Sequence, residues 1–138
     1  MASRQVTLRW TGDGQHFRGG ALGGPEISID GDGAVGPSPM ETLALSLAGC
    51  MAIDVLMILE KSRVPVEGLE IDLSGERADD PPRRFTSLNL VYRLRGPGPG
   101  DHSKVERAVR LSREKYCSVL HTLQPDLELD IEISTGVS

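Results

Sequence analysis

Residues 37–63 read PSPMETLALSLAGCMAIDVLMILEKSR, and how this stretch folds decides the architecture. Its start signals are those of a helix. Ser38 suits the N-cap, Pro39 the first helical position, and Glu41 lies three residues after Ser38, where it completes a capping box. The end is predicted near Ser62, because Val64 precedes Pro65 and the residue before a proline is pushed out of the helical region. Between Leu43 and Leu59 the apolar side chains lie all round the helix, the pattern of an element buried on most sides. The run also raises the question of a membrane. A span needs about 20 apolar residues, and Glu41, Ser46, Gly49, Cys50 and Asp54 interrupt this one. The expectation is therefore the central helix of a soluble fold, or of a dimer. Gly49 costs helix stability relative to alanine, which suggests that another backbone or a ligand comes close to it.

Outward from this helix the chain alternates. Val6, Leu8 and Trp10 share one face, as in a half-buried strand, and His16–Ala21 and Glu26–Asp30 read as two further strands. GDGAVGP (31–37) is a Gly-rich loop without the Lys-Ser/Thr ending of a phosphate loop. On the other side, Leu69, Ile71 and Leu73 share one strand face and Leu88, Leu90, Tyr92 and Leu94 another, joined by the charged ERADDPPRR (76–84). GPGPG (96–100) stops the second of these strands. Ser103, with Glu106 three residues on, reads as the capping box of a second helix whose apolar face is Val105, Ala108, Val109, Ser112 and Tyr116. A short helix from about Cys117 to Leu123 is ended by Pro125, and Leu127, Leu129, Ile131 and Ile133 alternate as a last strand. Strands and helices are partly segregated, which argues for an α+β fold. The 138 residues fit a single domain, 1–138.

Composition narrows the function. Hydrophobic residues make up 38% of the chain and aromatics 4%, so the core is built from small aliphatic side chains and a homodimer would supplement its burial. A net charge of -5 gives no support to a basic nucleic-acid surface, which needs clustered Lys and Arg, and no nucleic-acid partner is expected. MASRQVTLRW has no apolar signal-peptide core, so a cytoplasmic location is expected. There, two cysteines are more often redox-active, metal-binding or inert than a structural disulfide.

Those two cysteines, Cys50 and Cys117, stand 117 − 50 = 67 positions apart, with no CxxC motif. Cys117 opens a short helix in REKYCSVLHTLQP (113–125), where free N–H groups, with Arg113 and Lys115 nearby, would favour a thiolate. Cys50 lies about three turns inside its helix, so a charge that activates it must come from elsewhere. Simple packing stays open for both thiols. Asp54 shares a helix face with Cys50 and reads as orienting a ligand or accepting a hydrogen bond across a dimer. Cys50, Cys117 and His121 are zinc-ligand types without an evident fourth partner; no metal and no cofactor is expected. Tyr116 reads as core, and His16 and His102 as loop residues.

PSPMETLALSLAGCMAIDVLMIL followed by EKYCSVLHTL resembles the OsmC/Ohr family of osmotically induced and organic hydroperoxide resistance proteins, over nearly the whole chain. The resemblance implies antiparallel sheets packed around a long buried central helix, in an intertwined homodimer with sites at the subunit interface. It implies that Cys50 attacks an organic hydroperoxide and becomes a sulfenic acid. Cys117 would then condense with it to a disulfide and a dithiol reductant would restore both thiols, without metal, flavin or haem. The peroxidase branches carry a Glu directly after the Pro and an Arg that holds the thiolate. Here Met40 follows Pro39, and Glu41 comes one residue later, about 100° further round the helix. Arg18 in HFRGG is the candidate arginine. The implied site is thus Cys50, Cys117, Arg18 and Glu41. Glu41 reads equally as a capping residue and Arg18 as a solvated strand-edge charge. The alternative is a catalytically weak or non-enzymatic dimer that binds a small apolar ligand or senses oxidation.

Overall fold

The computed structural model describes residues 3–135; Met1 and Ala2 of the N-terminal stretch lie outside that range. The elements run β1 (Val6–Trp10), β2 (His16–Ala21), β3 (Glu26–Asp30), α1 (Pro39–Lys61), β4 (Gly68–Arg77), β5 (Phe85–Arg95), α2 (His102–Leu111), α3 (Ser118–Thr122) and β6 (Glu128–Thr135). A 3-10 turn at Pro99–Asp101 leads into α2, and a π-helical turn at Ser112–Tyr116 separates α2 from α3. The fold is α+β. Its contacts divide into two compact units, with the boundary between Ala44 and Leu45, inside α1.

The N-terminal unit is an antiparallel sheet in the order β1-β2-β3. Strands β2 and β3 sit so close at Gly20 that a Cβ there would lie 2.1 Å from the Pro25 carbonyl oxygen, which only glycine avoids. The side chains of β1 alternate as expected, but Val6, Leu8 and Trp10 are 73%, 56% and 60% exposed rather than half-buried. A lone three-stranded sheet has no second layer of its own to cover that face. After β3 the chain folds round one carboxylate. Asp30 accepts the backbone N–H groups of Asp32, Ala34 and Val35, with Gly33 at φ 68 making the bend between them. These N–H groups hold the Asp30 carboxyl below its ordinary value, against the opposing effect of burial. Next, the helix start forms as predicted. Ser38 Oγ accepts the Glu41 N–H at 3.2 Å, and Glu41 Oε1 accepts the Ser38 N–H at 2.9 Å.

In the C-terminal unit, α1 buries Leu47, Met51, Val55 and Leu59, a stripe with a four-residue repeat. The stripe belongs to one core with Leu88, Leu90, Tyr92 and Leu94 of β5 and Val105, Ala108 and Val109 of α2. The helix ends where Arg63 takes a left-handed conformation, φ 59, and the Val64 N–H reaches back to the Leu59 carbonyl. By length and composition α1 could cross a bilayer. The expectation of burial on most sides does not hold within the chain, however. Leu45, Ile53, Leu56 and Met57 are 62%, 59%, 44% and 53% exposed, because the core lies against one stripe only. Nor, among the described residues, does anything beyond its own helix backbone come within 4 Å of the Cβ position at Gly49.

The second sheet has the order β4-β5-β6. Strands β4 and β5 are antiparallel, but β5 and β6 are parallel, so the expectation of purely antiparallel sheets is corrected. Parallel neighbours require a crossover, which α2, the π turn and α3 supply. The start of α2 is also corrected. Asp101, not Ser103, is the N-cap. Its carboxylate accepts the Gly98 N–H, while Glu106 pairs with His102 one turn away instead of closing a box with Ser103.

Candidate functional site

Cys50 and Asp54 sit one turn apart on α1, half-buried beside the core stripe. The facing groups are the first residue of the π turn, Ser112, and the N-cap of α3, Cys117. Ser112 and Cys117 are both fully buried. The π turn between them explains how: the Cys117 N–H donates to the Ser112 carbonyl at 2.9 Å, five residues back, a wider loop than an α turn. Ser112 and Cys117 thus both face inward, and Tyr116 is left outside at 49% exposure, which corrects its reading as core.

Cys50 Sγ, Cys117 Sγ and a carboxylate oxygen of Asp54 lie within 4.8 Å of one another. Ser112 Oγ donates to Asp54 Oδ2 at 2.9 Å, so the hydrogen bond foreseen for Asp54 across a dimer is made inside the chain. Cys117 is the N-cap of α3, and its sulfur accepts the Leu120 N–H at 3.4 Å. This contact favours the thiolate, as the sequence suggested, but burial outweighs it. Burial, with contact from the Cys50 thiol and the charge of Asp54, pushes the Cys117 thiol up from its ordinary 9.0 to about 11. Arg113 and Lys115 are turned elsewhere, one to the Leu129 carbonyl and the other over the Tyr116 ring. Tyr92 of β5 completes the surroundings. It is fully buried, its hydroxyl has no hydrogen-bond partner among the described residues, and burial together with Cys117 and Asp54 raises its pKa.

Residues 30–132 match the family model described as OsmC-like protein. This chain belongs to the OsmC-like protein family. It is similar to Protein YhfA of Escherichia coli K12, with 42% identity over 121 residues that cover 87% of this chain and 89% of that one. Among solved structures, the OsmC-like chain is similar to a hypothetical protein from Aquifex aeolicus, with a TM-score of 0.84 and 31% identity over 97% of this chain and 96% of the other. It shares its fold with the organic hydroperoxide resistance protein OhrB of Bacillus subtilis, with a TM-score of 0.65 at 17% identity over 96% of this chain and 98% of that one.

The remaining expected site residues of the OsmC-like chain have partners in the N-terminal unit. Arg18 Nη1 donates to Ser28 Oγ at 2.9 Å, and its Nε pairs with Glu26 at 3.7 Å. The Glu41 carboxylate closes the helix cap, and the Ser38 N–H holds it below its ordinary value. His121 Nδ1 faces the Cys117 carbonyl rather than either sulfur. Asp54, not His121, is the third group beside the thiols. Sequence reasoning found Asp54 from its spacing but missed two residues. Ser112 looked like one more position on an amphipathic face, and Tyr92 like one more strand residue. Neither carries a local signal, since both are defined by what folds against them. Outside the cluster, an open groove of about 470 Å³ is lined by Asp54, Met57, Ile58, Lys61, Arg107 and Tyr116, among others. Asp54 thus stands between the groove and the thiols.

Proposed function

We propose that this OsmC-like chain, acting as one domain over residues 1–138, reduces organic hydroperoxides with Cys50 as the attacking thiol and Cys117 as the resolving one. The Cys50 thiolate attacks the terminal oxygen of ROOH. The O–O bond breaks, the alkoxide leaves and takes a proton as ROH, and Cys50 becomes a sulfenic acid. The Cys117 sulfur then displaces hydroxide from that sulfenic acid, a proton makes it water, and a disulfide results. A dithiol reductant restores both thiols and is itself oxidised to a disulfide. The observation that carries the reading is the convergence of two thiols of unequal access: Cys50 is half-buried and Cys117 fully so. A peroxide from solvent meets Cys50 first, and Cys117 waits behind it. The name of OhrB, a structural neighbour, points the same way.

We also propose a homodimer in which a second copy covers Leu45, Ile53, Leu56 and Met57, a contiguous apolar stretch on α1 of the kind that marks an interface. A reducing cytoplasm would supply the dithiol.

The second reading is a weakly catalytic or non-enzymatic dimer that binds a small apolar ligand or senses oxidation slowly. It is favoured by the charge beside the thiols, which is an anion. Asp54 opposes thiolate formation at Cys117, where a cation would assist it, and both Arg18 and Glu41 already have other partners.

One experiment separates the two. Reduced protein is mixed with stoichiometric cumene hydroperoxide and free thiols are counted. Loss of both thiols within seconds, abolished in Cys50→Ser, is the expected result; thiols that survive, or a Cys50→Ser variant that consumes peroxide at the same rate, leave only the second reading. A stable folded monomer in sedimentation at micromolar concentration would rule out the dimer.

A further inference from the structure

We propose that the reduced cluster is a binding site for a thiophilic divalent cation, zinc above all, with Cys50 Sγ, Cys117 Sγ and one Asp54 carboxylate oxygen as its three protein ligands. The donor set is the first argument. Two sulfurs and one carboxylate oxygen suit the borderline-soft zinc ion, whereas magnesium and calcium demand more oxygen ligands than the cluster offers. Geometry is the second. Bonds of about 2.3 Å to sulfur put tetrahedral donors roughly 3.8 Å apart. The three donor atoms already lie within 4.8 Å, so modest side-chain rotation closes the site.

Support behind the ligands is the third argument. The Ser112 hydroxyl orients the Asp54 carboxylate at 2.9 Å, and the Leu120 N–H orients the Cys117 sulfur at 3.4 Å. Metal sites rely on such partners, whose loss typically costs about 10–100-fold in affinity. Ser112 itself is fully buried and its hydroxyl is aimed at Asp54, as a fixed support requires. Finally, Asp54 lines the open groove, which gives an ion a path in and leaves the fourth coordination position to solvent or a small ligand.

Binding converts two thiols to thiolates and releases two protons, while the ion offsets the negative charge gathered in the cluster. Because a Cys50–Cys117 disulfide would remove both sulfur ligands, ion-bound and oxidised states exclude each other. This last point rests on the hydroperoxide reading; the site itself does not.

The test uses the full-length, fully reduced, metal-free protein. Zinc is titrated against a chromophoric chelator, and cobalt is added in parallel as a spectroscopic probe. One ion per chain and a thiolate-to-cobalt charge-transfer band are expected. Cys50→Ser and Cys117→Ser should each weaken the band, and Asp54→Asn should weaken affinity while keeping it. Ser112→Ala should lose about 10–100-fold in affinity. Should a cysteine variant fail to fold, protection of Cys50 from alkylation by zinc in the wild-type chain reads out the same contact. No charge-transfer band, or equal alkylation with and without zinc, would overturn the site. The peroxide assay in zinc-free buffer is scored separately, so failure of the thiol chemistry and failure of the metal site are told apart.

Discussion

Asp30 and Asp54 are two carboxylates drawn in from solvent, and the chain treats them in opposite ways. Asp30 sits at the end of β3, only 3% exposed, and a Gly-rich loop delivers three backbone N–H groups to it. A carboxylate has room for about four hydrogen bonds, so Asp30 has little left to offer. Asp54 on α1 receives one hydroxyl, from Ser112, and its carboxylate lies beside two thiols and lines an open groove. Both are acidic residues flanked by small or apolar neighbours, and composition does not distinguish them. The difference lies in hydrogen-bonding capacity: used up at Asp30, where the result is a folded loop, and left over at Asp54, where chemistry becomes possible.

The largest expected effect comes from removing the saturated carboxylate. Asp30→Ala strands three N–H groups, and the amides of Asp32, Ala34 and Val35 should lose their protection from hydrogen exchange altogether. Asp30→Asn, with one acceptor oxygen, should keep part of it. If Asp30→Ala leaves those amides protected, the loop is held by something else and the contrast with Asp54 fails.

Acid should reproduce this effect reversibly. The native Asp30 carboxyl lies below its ordinary 3.8, so its contribution to stability is present above that pH and is lost as pH falls through the lower native value. Exchange of the same three amides, followed through that window, should accelerate in the wild type and show no such step in Asp30→Asn.

Asp54→Asn should behave otherwise. The amide oxygen can still accept from Ser112, so stability should change by less than about 1.5 kcal/mol, while zinc uptake and the rate of disulfide closure change. A denaturant midpoint shift as large as that of Asp30→Ala would make Asp54 a structural residue after all.

The smallest effect is expected at Tyr92, whose buried hydroxyl has no partner among the described residues. Tyr92→Phe should be neutral or stabilising by up to about 1 kcal/mol. A loss of stability would mean that the hydroxyl is satisfied, for instance by water inside the cluster.

The comparison also explains how much of the molecule was legible beforehand. What is encoded locally was readable. Ser38, Pro39 and Glu41 announce α1, and the alternation of β4 and β5 needs only a period of two. What depends on residues far apart was not. The parallel pairing of β5 with β6 follows from the whole α2–α3 crossover. Ser103 and Glu106 match a capping box, yet Asp101 and His102 outcompete them for the same helix start. The two thiols could be paired only through the family resemblance, because a separation of 67 positions carries no distance information. The expectation that α1 is buried on most sides does not hold within the chain, because an all-round apolar helix looks the same whether its cover comes from its own chain or from another. The exposed stripe beginning at Leu45 shows that the chain alone does not supply it.

The π turn at Ser112–Tyr116 makes the cluster a matter of counting. Ser112 and Cys117 both point inward only because five residues, not four, separate one hydrogen-bonded rung from the next. In an ordinary α-helix the five steps from Ser112 to Cys117 would turn through about 500° and leave the two about 140° apart round the axis. Along that turn Arg113 reaches the Leu129 carbonyl and Lys115 lies over the Tyr116 ring. The wider turn, more than the side chains along it, brings the second sulfur within range of the first.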